Sequence, residues 1–191
     1  HPTASAAAGE ASAAVERWLL SLAEIAPPRG EDALALAWKL VEELGHPQRA
    51  APAVHIVGTA GKGTVASMLT AMVAPAHRVA THMSPHVYDI RERFLIDGGF
   101  PGDDALDAAF GEVRAAADHV ARAEKRPPTF FAATAALSWV LGRNAGVDLF
   151  VTEAGIGGRL DATAVLDRPD TLTVVTTVAL DHTEVLGDTV E

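Results

Sequence analysis

The residues best equipped for chemistry are Gly58-Thr59-Ala60-Gly61-Lys62-Gly63-Thr64. Glycines let the backbone fold around an anion with its amide N–H groups turned inward. A following helix adds the positive end of its dipole, and Lys62 adds a mobile charge. This is equipment for holding nucleotide phosphates. The apolar run Val54-His55-Ile56-Val57 ahead of the loop reads as a short buried strand, and residues 65–72 behind it read as a helix. The spacing departs from the common phosphate loop: a single glycine separates the lysine from the hydroxyl residue, and the outer glycines stand close together.

Three more residues sit where such a loop would need them. Glu153 closes the apolar run that starts at Val147 and precedes Ala154-Gly155-Ile156-Gly157-Gly158, so its carboxylate is placed to bind a hard cation beside phosphates. His182 follows the β-rich run 171–178 between Asp181 and Glu184, and a neutral imidazole can ligate metal. Ser84, after the run 78–83, offers a hydroxyl or backbone oxygen. His1, His46, His77 and His119 read as surface or structural residues, and His55 as a core histidine.

The elements that must position these residues follow from periodicity. Residues 14–25 and 34–44 carry apolar side chains at helical spacing, separated by Pro27-Pro28-Arg29-Gly30 and stopped by Gly45-His46-Pro47. Residues 93–98 alternate like an edge strand, residues 103–126 form a long polar helix, and residues 129–141 a more apolar one. Short apolar strands alternating with helices predict an α/β fold: a P-loop on a mainly parallel sheet with helices on both faces. Ligands in such folds bind outside the carboxyl ends of the strands. The phosphate loop, Ser84, Glu153 and Asp181-His182 all stand at such ends. Residues 1–10 are expected to be a disordered lead, and 11–191 one ATPase-type domain with a helical lead over 11–50.

Composition narrows the class. The 191 residues are 49% hydrophobic and 21% charged, as in a globular protein. Fifteen basic against 25 acidic residues give a formal charge of −10, which argues against broad binding to nucleic acid or to an anionic membrane. Phosphate would be held locally, by amides and metal. No cysteine is present, which is compatible with a cytoplasmic protein, and no apolar run approaches the roughly eighteen residues of a membrane span.

These motifs together resemble the N-terminal ATPase domain of the folylpolyglutamate synthase/dihydrofolate synthase family, a branch of the Mur-ligase superfamily. The resemblance is carried by the stretch from His55 to Thr64, Ser84-Pro85-His86, Arg91-Glu92-Arg93, Glu153 through Thr163, and Leu180-Asp181-His182-Thr183-Glu184. It implies that loop 58–64 holds ATP, that Ser84, Glu153 and His182 gather around Mg²⁺, and that Lys62, Glu153 and His182 serve catalysis. Thr129, Phe131 and Asp161 match positions that contact the pterin. An aromatic face suits a flat ring, and a carboxylate can accept two N–H bonds from its edge. The implied reaction is ATP-dependent amide formation between a folate or dihydropteroate carboxylate and L-glutamate through an acyl phosphate. Ala60, Ala132 and Ala164 depart from the family's usual asparagine, glutamate and asparagine. The alternatives are another carboxylate–amine ligase of the superfamily or an inactive nucleotide-binding module. The resemblance places the rest of the ATPase domain and the glutamate-binding domain outside these residues. Oligomeric state is not legible.

Overall fold

The computed structural model describes residues 4–25 and 28–189. Five strands form one sheet: β1 (Ala53–Val57), β2 (Val79–His82), β3 (Phe94–Ile96), β4 (Leu149–Glu153) and β5 (Leu172–Val175), in the order β3-β2-β4-β1-β5. β1 pairs in parallel with β4 and β5, and β4 in parallel with β2. β3 runs antiparallel to β2, a direction that its alternating pattern could not specify. The mainly parallel α/β sheet matches expectation.

Around it lie α1 (Ala4–Ala23), α2 (Gly30–Glu43), α3 (Lys62–Val73), α4 (Asp103–Glu124), α5 (Phe130–Ala145) and the single turn α6 (Thr183–Leu186). α1 begins inside the stretch 1–10 expected to be disordered. Alanine is the best helix former, so the alanine-rich run continues the amphipathic helix behind it. Residues 1–3 of that lead, like Pro27, lie outside the described residues.

Strand alternation sends side chains to two unequal layers. Val54 and Ile56 of β1, Val79 of β2 and Val151 of β4 meet Ala66 and the partly buried Val65 and Leu69 of α3. On the other face, Ala53, Ala80 and Phe150 join Leu19, Leu40, Val113 and Leu137 in a core built from α1, α2, α4 and α5. Each large apolar side chain buried there stabilises the fold by about 1.5–3 kcal/mol. Helix α5 is buried from Ala132 through Gly142, and Trp139 on it donates its Nε1–H to Thr152 Oγ1 of β4 at 3.3 Å. The helix comes this close because Gly142 has no side chain. A Cβ there would lie 2.4 Å from the Phe150 ring and 2.7 Å from the Ala80 Cβ.

β5 is the edge next to the phosphate loop, and it stops at Val175 rather than running to Val178. From Thr176 the chain turns to cross the loop: Thr176 N–H donates to Val57 O at 2.9 Å, and Thr59 N–H to Thr177 O at 2.7 Å.

Candidate functional site

The loop 58–64 links β1 to α3, and each special residue in it has a geometric cause. Gly58 adopts φ +131°, and a Cβ on it would fall 2.2 Å from Thr176 Oγ1. Gly61 caps α3 in the left-handed region at φ +85°. The bond from Val65 N–H to Gly61 O, at 3.0 Å, opens the helical ladder, which leaves the amides of Lys62, Gly63 and Thr64 at the open end of the helix. Thr59 Oγ1 donates to Ala179 O and accepts from Ala179 N–H, both at 3.1 Å. Lys62 Nζ folds over the loop and donates to Gly58 O at 2.8 Å and Thr59 O at 3.4 Å.

Beside this loop opens a cavity of about 370 Å³. Its walls are Gly58, Thr59 and Lys62, the glycine-rich turn 155–158 after β4, and the segment from Val178 to His182 with Leu186 of α6. The cavity lies outside the carboxyl ends of β1, β4 and β5, where this class of sheet binds ligands.

Glu153 ends β4 on the side facing α3 and is 4% exposed. Its Oε2 accepts Ser84 N–H at 2.9 Å, and a Cβ on Gly63 would stand 3.5 Å from that oxygen, so α3 starts directly against the carboxylate. Burial raises the Glu153 carboxyl above its ordinary range, while the Ser84 amide and the charges of Lys62 and Arg93 pull the other way. Ser84 and Glu153 are therefore in contact, through the Ser84 backbone amide. His182 does not join them. It lines the cavity on the segment after β5, with Nδ1 3.6 Å from Glu184 Oε1 and Nε2 4.0 Å from Asp181 Oδ2. Among the described residues no group of three or more His, Asp or Glu side chains converges as a metal site. The donors that Ser84 and Glu153 bring are nonetheless oxygens suited to a hard cation, and no hydrogen bond among the described residues reaches Glu153 Oε1.

The three residues matched to pterin contacts divide differently. Thr129 caps α5, its Oγ1 accepting Ala132 N–H at 3.1 Å. Phe131 is half-buried and meets the His82 ring edge-on at 5.3 Å between centroids. Asp161 is buried, and its carboxylate is fully engaged. Oδ2 accepts the amides of Gly155 and Ile156, both at 3.0 Å, while Oδ1 accepts Thr163 N–H at 2.9 Å and the Thr163 hydroxyl. A carboxylate has about four acceptor positions. All are occupied by the protein, so Asp161 shapes the turn 155–158 instead of offering free lone pairs.

No protein-family model matches the chain. It is 42% identical over 155 residues, 80% of its length, to a probable bifunctional folylpolyglutamate synthase/dihydropteroate synthase of Haloferax volcanii. Its fold superposes on the Mycobacterium tuberculosis folylpolyglutamate synthase complexed with ADP and AMPPCP with TM-score 0.81 and 31% identity over 95% of the chain. The chain belongs to the folylpolyglutamate synthase/dihydrofolate synthase family. A further family structure, that of Escherichia coli FolC in complex with DHPP and ADP, aligns with TM-score 0.77 and 30% identity over 92% of the chain. The chain spans 18% of the Haloferax relative's length and 39% and 41% of the two solved chains. As a folylpolyglutamate synthase family member it has the Mur-ligase-type ATPase fold, its five-stranded sheet carrying the phosphate loop at the end of β1.

Two residues of this family member carry more of the site than their sequence context showed. Arg93 is 7% exposed, donates from Nε to His86 Nδ1 at 2.8 Å, and lies over the Phe130 ring at 5.0 Å. Burial lowers its guanidinium below the ordinary range, and the nearby Glu153 opposes that. His82 is completely buried behind Phe131, and its ring is pushed down to about 3, first by burial and then by Arg93. The available signal was the arginine that opens the alternating run 93–98, which the structure places in the single turn Ile90–Arg93 just before β3.

Proposed function

We propose that these residues form the ATP-binding part of a ligase that joins L-glutamate to the carboxylate of a folate or dihydropteroate through an acyl phosphate. The observation that carries this reading is the cavity walled by Gly58, Thr59 and Lys62, in a chain whose solved relatives include complexes with ADP. In this reading the amides at the start of α3 take phosphate oxygens, and Lys62 leaves the carbonyls of Gly58 and Thr59 for the phosphate chain. Both act by placing positive partial charge where negative charge gathers during phosphoryl transfer. Glu153 and Ser84 would hold Mg²⁺, with His182 at the far wall of the nucleotide. A bound Mg²⁺ supplies charge neutralisation between phosphate oxygens. Phe131 offers the flat face for the pterin, and Thr129 and Asp161 set the helix start and the turn beside it. The absence of cysteine fits a cytoplasmic site of action.

Calorimetric titration with ADP tests the reading. Lys62→Ala is expected to weaken binding at least about tenfold, the loss of one charge-assisted hydrogen-bonding group, with an unchanged circular dichroism spectrum. Equal affinity of variant and parent, or no binding by the parent, would overturn it.

A further inference from the structure

His55 does more than fill the core. It sits on β1, three residues before Gly58 of the phosphate loop, on the face away from Val54 and Ile56. Its Nε2 lies 2.8 Å from Thr163 Oγ1, 108 residues away in sequence. The Thr163 hydroxyl is hydrogen-bonded to Asp161 Oδ1, and Asp161 Oδ2 takes the amides of Gly155 and Ile156. A hydroxyl that gives its proton to a carboxylate has only lone pairs left, so it must accept from His55. That places the imidazole proton on Nε2 and gives every bond in the series a direction: His55 to Thr163, Thr163 to Asp161, and the turn's amides to Asp161.

We infer that His55 and Thr163 are positioning residues that set the turn 155–158 against the phosphate loop. Both ends of the relay reach the cavity. β1 leads into Gly58, Thr59 and Lys62 on one wall, and Asp161 holds Gly155 and Ile156 on another. The turn has no slack on its inner side, where a Cβ on Gly155 would lie 3.0 Å from the Phe131 ring and 3.1 Å from Asp161 Oδ2. Burial, which disfavours a charged ring, keeps His55 a neutral single donor in this direction, against the pull of Asp161. The β1–β4 ladder already joins the two walls, ending with Ala154 N–H to Ile56 O at 2.9 Å, and the relay adds a side-chain tie that orients the turn beyond that last bond. Its effect on ligand binding rests on the reading of the cavity as a nucleotide site; its effect on the turn does not.

Amide hydrogen exchange and ADP calorimetry on the intact 191-residue chain separate the two. Thr163→Val keeps the shape and removes the hydroxyl. It is expected to speed exchange at Gly155 and Ile156 about tenfold or more, the loss of roughly one net hydrogen bond at each step. Exchange at Ile56 and Val151 in the strands is expected to stay as in the parent. Thr163→Ser restores slow exchange, and His55→Leu reproduces the Thr163→Val pattern, while His55→Gln, which retains a donor, falls nearer the parent. ADP affinity is expected to fall several-fold in Thr163→Val and to return in Thr163→Ser. Unchanged exchange in both Thr163→Val and His55→Leu, or equal acceleration throughout the sheet, would overturn the inference. Faster exchange at the turn with unaltered ADP affinity would remove its link to binding. Failure of the parent to bind ADP would count against the nucleotide reading alone, with the exchange result still deciding the relay. Should Thr163→Val fail to fold, His55→Leu against His55→Gln decides the same question.

Discussion

At the scale of single residues, Glu153 is held between burial and two cations. Burial raises its carboxyl above the ordinary range, against Ser84 N–H, Lys62 and Arg93. With the folded-state value above that of the unfolded chain, the native state binds the proton more tightly. Stability therefore falls as pH rises from the ordinary carboxylate range through the raised value. Glu153→Gln keeps an acceptor for Ser84 N–H and removes this titration. It is expected to raise the Tm at pH 7, with the difference closing in acid. Thermal melts across pH check this, and a lower Tm at pH 7 speaks against it. Loss of nucleotide-linked function in the same variant would show a charge retained at a cost in stability. Single residues were unevenly legible. Lys62 and Gly58 announce themselves because glycine and lysine in a strand–turn–helix have few other uses. Asp161 does not, because its four partners come together only when the chain folds, and chemistry alone cannot tell a carboxylate that grips a turn from one that awaits a ligand.

Among the elements, α5 shows how sequence pattern and packing divide the work. Its apolar character is plain from residues 129–141, and the structure extends it to Ala145 with Gly146 as the left-handed cap. Its depth against the sheet was not legible, since it depends on one glycine facing Phe150 and Ala80, which stand side by side on the paired strands β4 and β2. Gly142→Ala tests that dependence. Alanine is the better helix former, by about 1 kcal/mol in an exposed helix. Here overpacking is expected to prevail and to cost about 1–3 kcal/mol, read as a lower midpoint in urea unfolding with an unchanged m-value. A stabilised variant would mean that α5 can move outward freely. The antiparallel course of β3 and the early end of β5 were hidden for a related reason. Alternation marks a strand but states neither its direction nor the point where hydrogen bonding passes to a loop, and residues 176–179 leave the sheet to bind residues 57–59. The helix through residues 4–10 shows the reverse error, in which small neutral residues read as a structureless lead still satisfy a helix.

For the molecule as a whole, acid sensitivity is a property of the buried layer behind the site. His82, completely buried, has its pKa lowered to about 3 against 6.5 in an unfolded chain. The unfolded state binds more protons between these values, so stability is lost as pH falls from 6.5 toward 3. Glu153 works in the opposite sense near the lower end of that window. His82→Leu removes the larger effect and leaves Thr134 its bond to Phe131 O. Its urea midpoint is expected to decline less than the parent's between pH 6.5 and 4.5, the remainder coming from His55, which burial lowers in the same sense; parallel decline in both would place the acid response elsewhere. The edge strand β5 has another consequence. Leu172 and Val175 are each 61% exposed, yet the chain that follows them ties down the phosphate loop and supplies a cavity wall. Opening of a native protein begins where little surface is buried. Among the described residues this strand can therefore peel from β1 while the α5 core stays closed, and with it the cavity would come apart. A ligand that fills the cavity bridges the deep half of the sheet to its shallow margin. Its binding energy would be spent first on suppressing this local opening, making occupancy a latch on the weakest part of the fold.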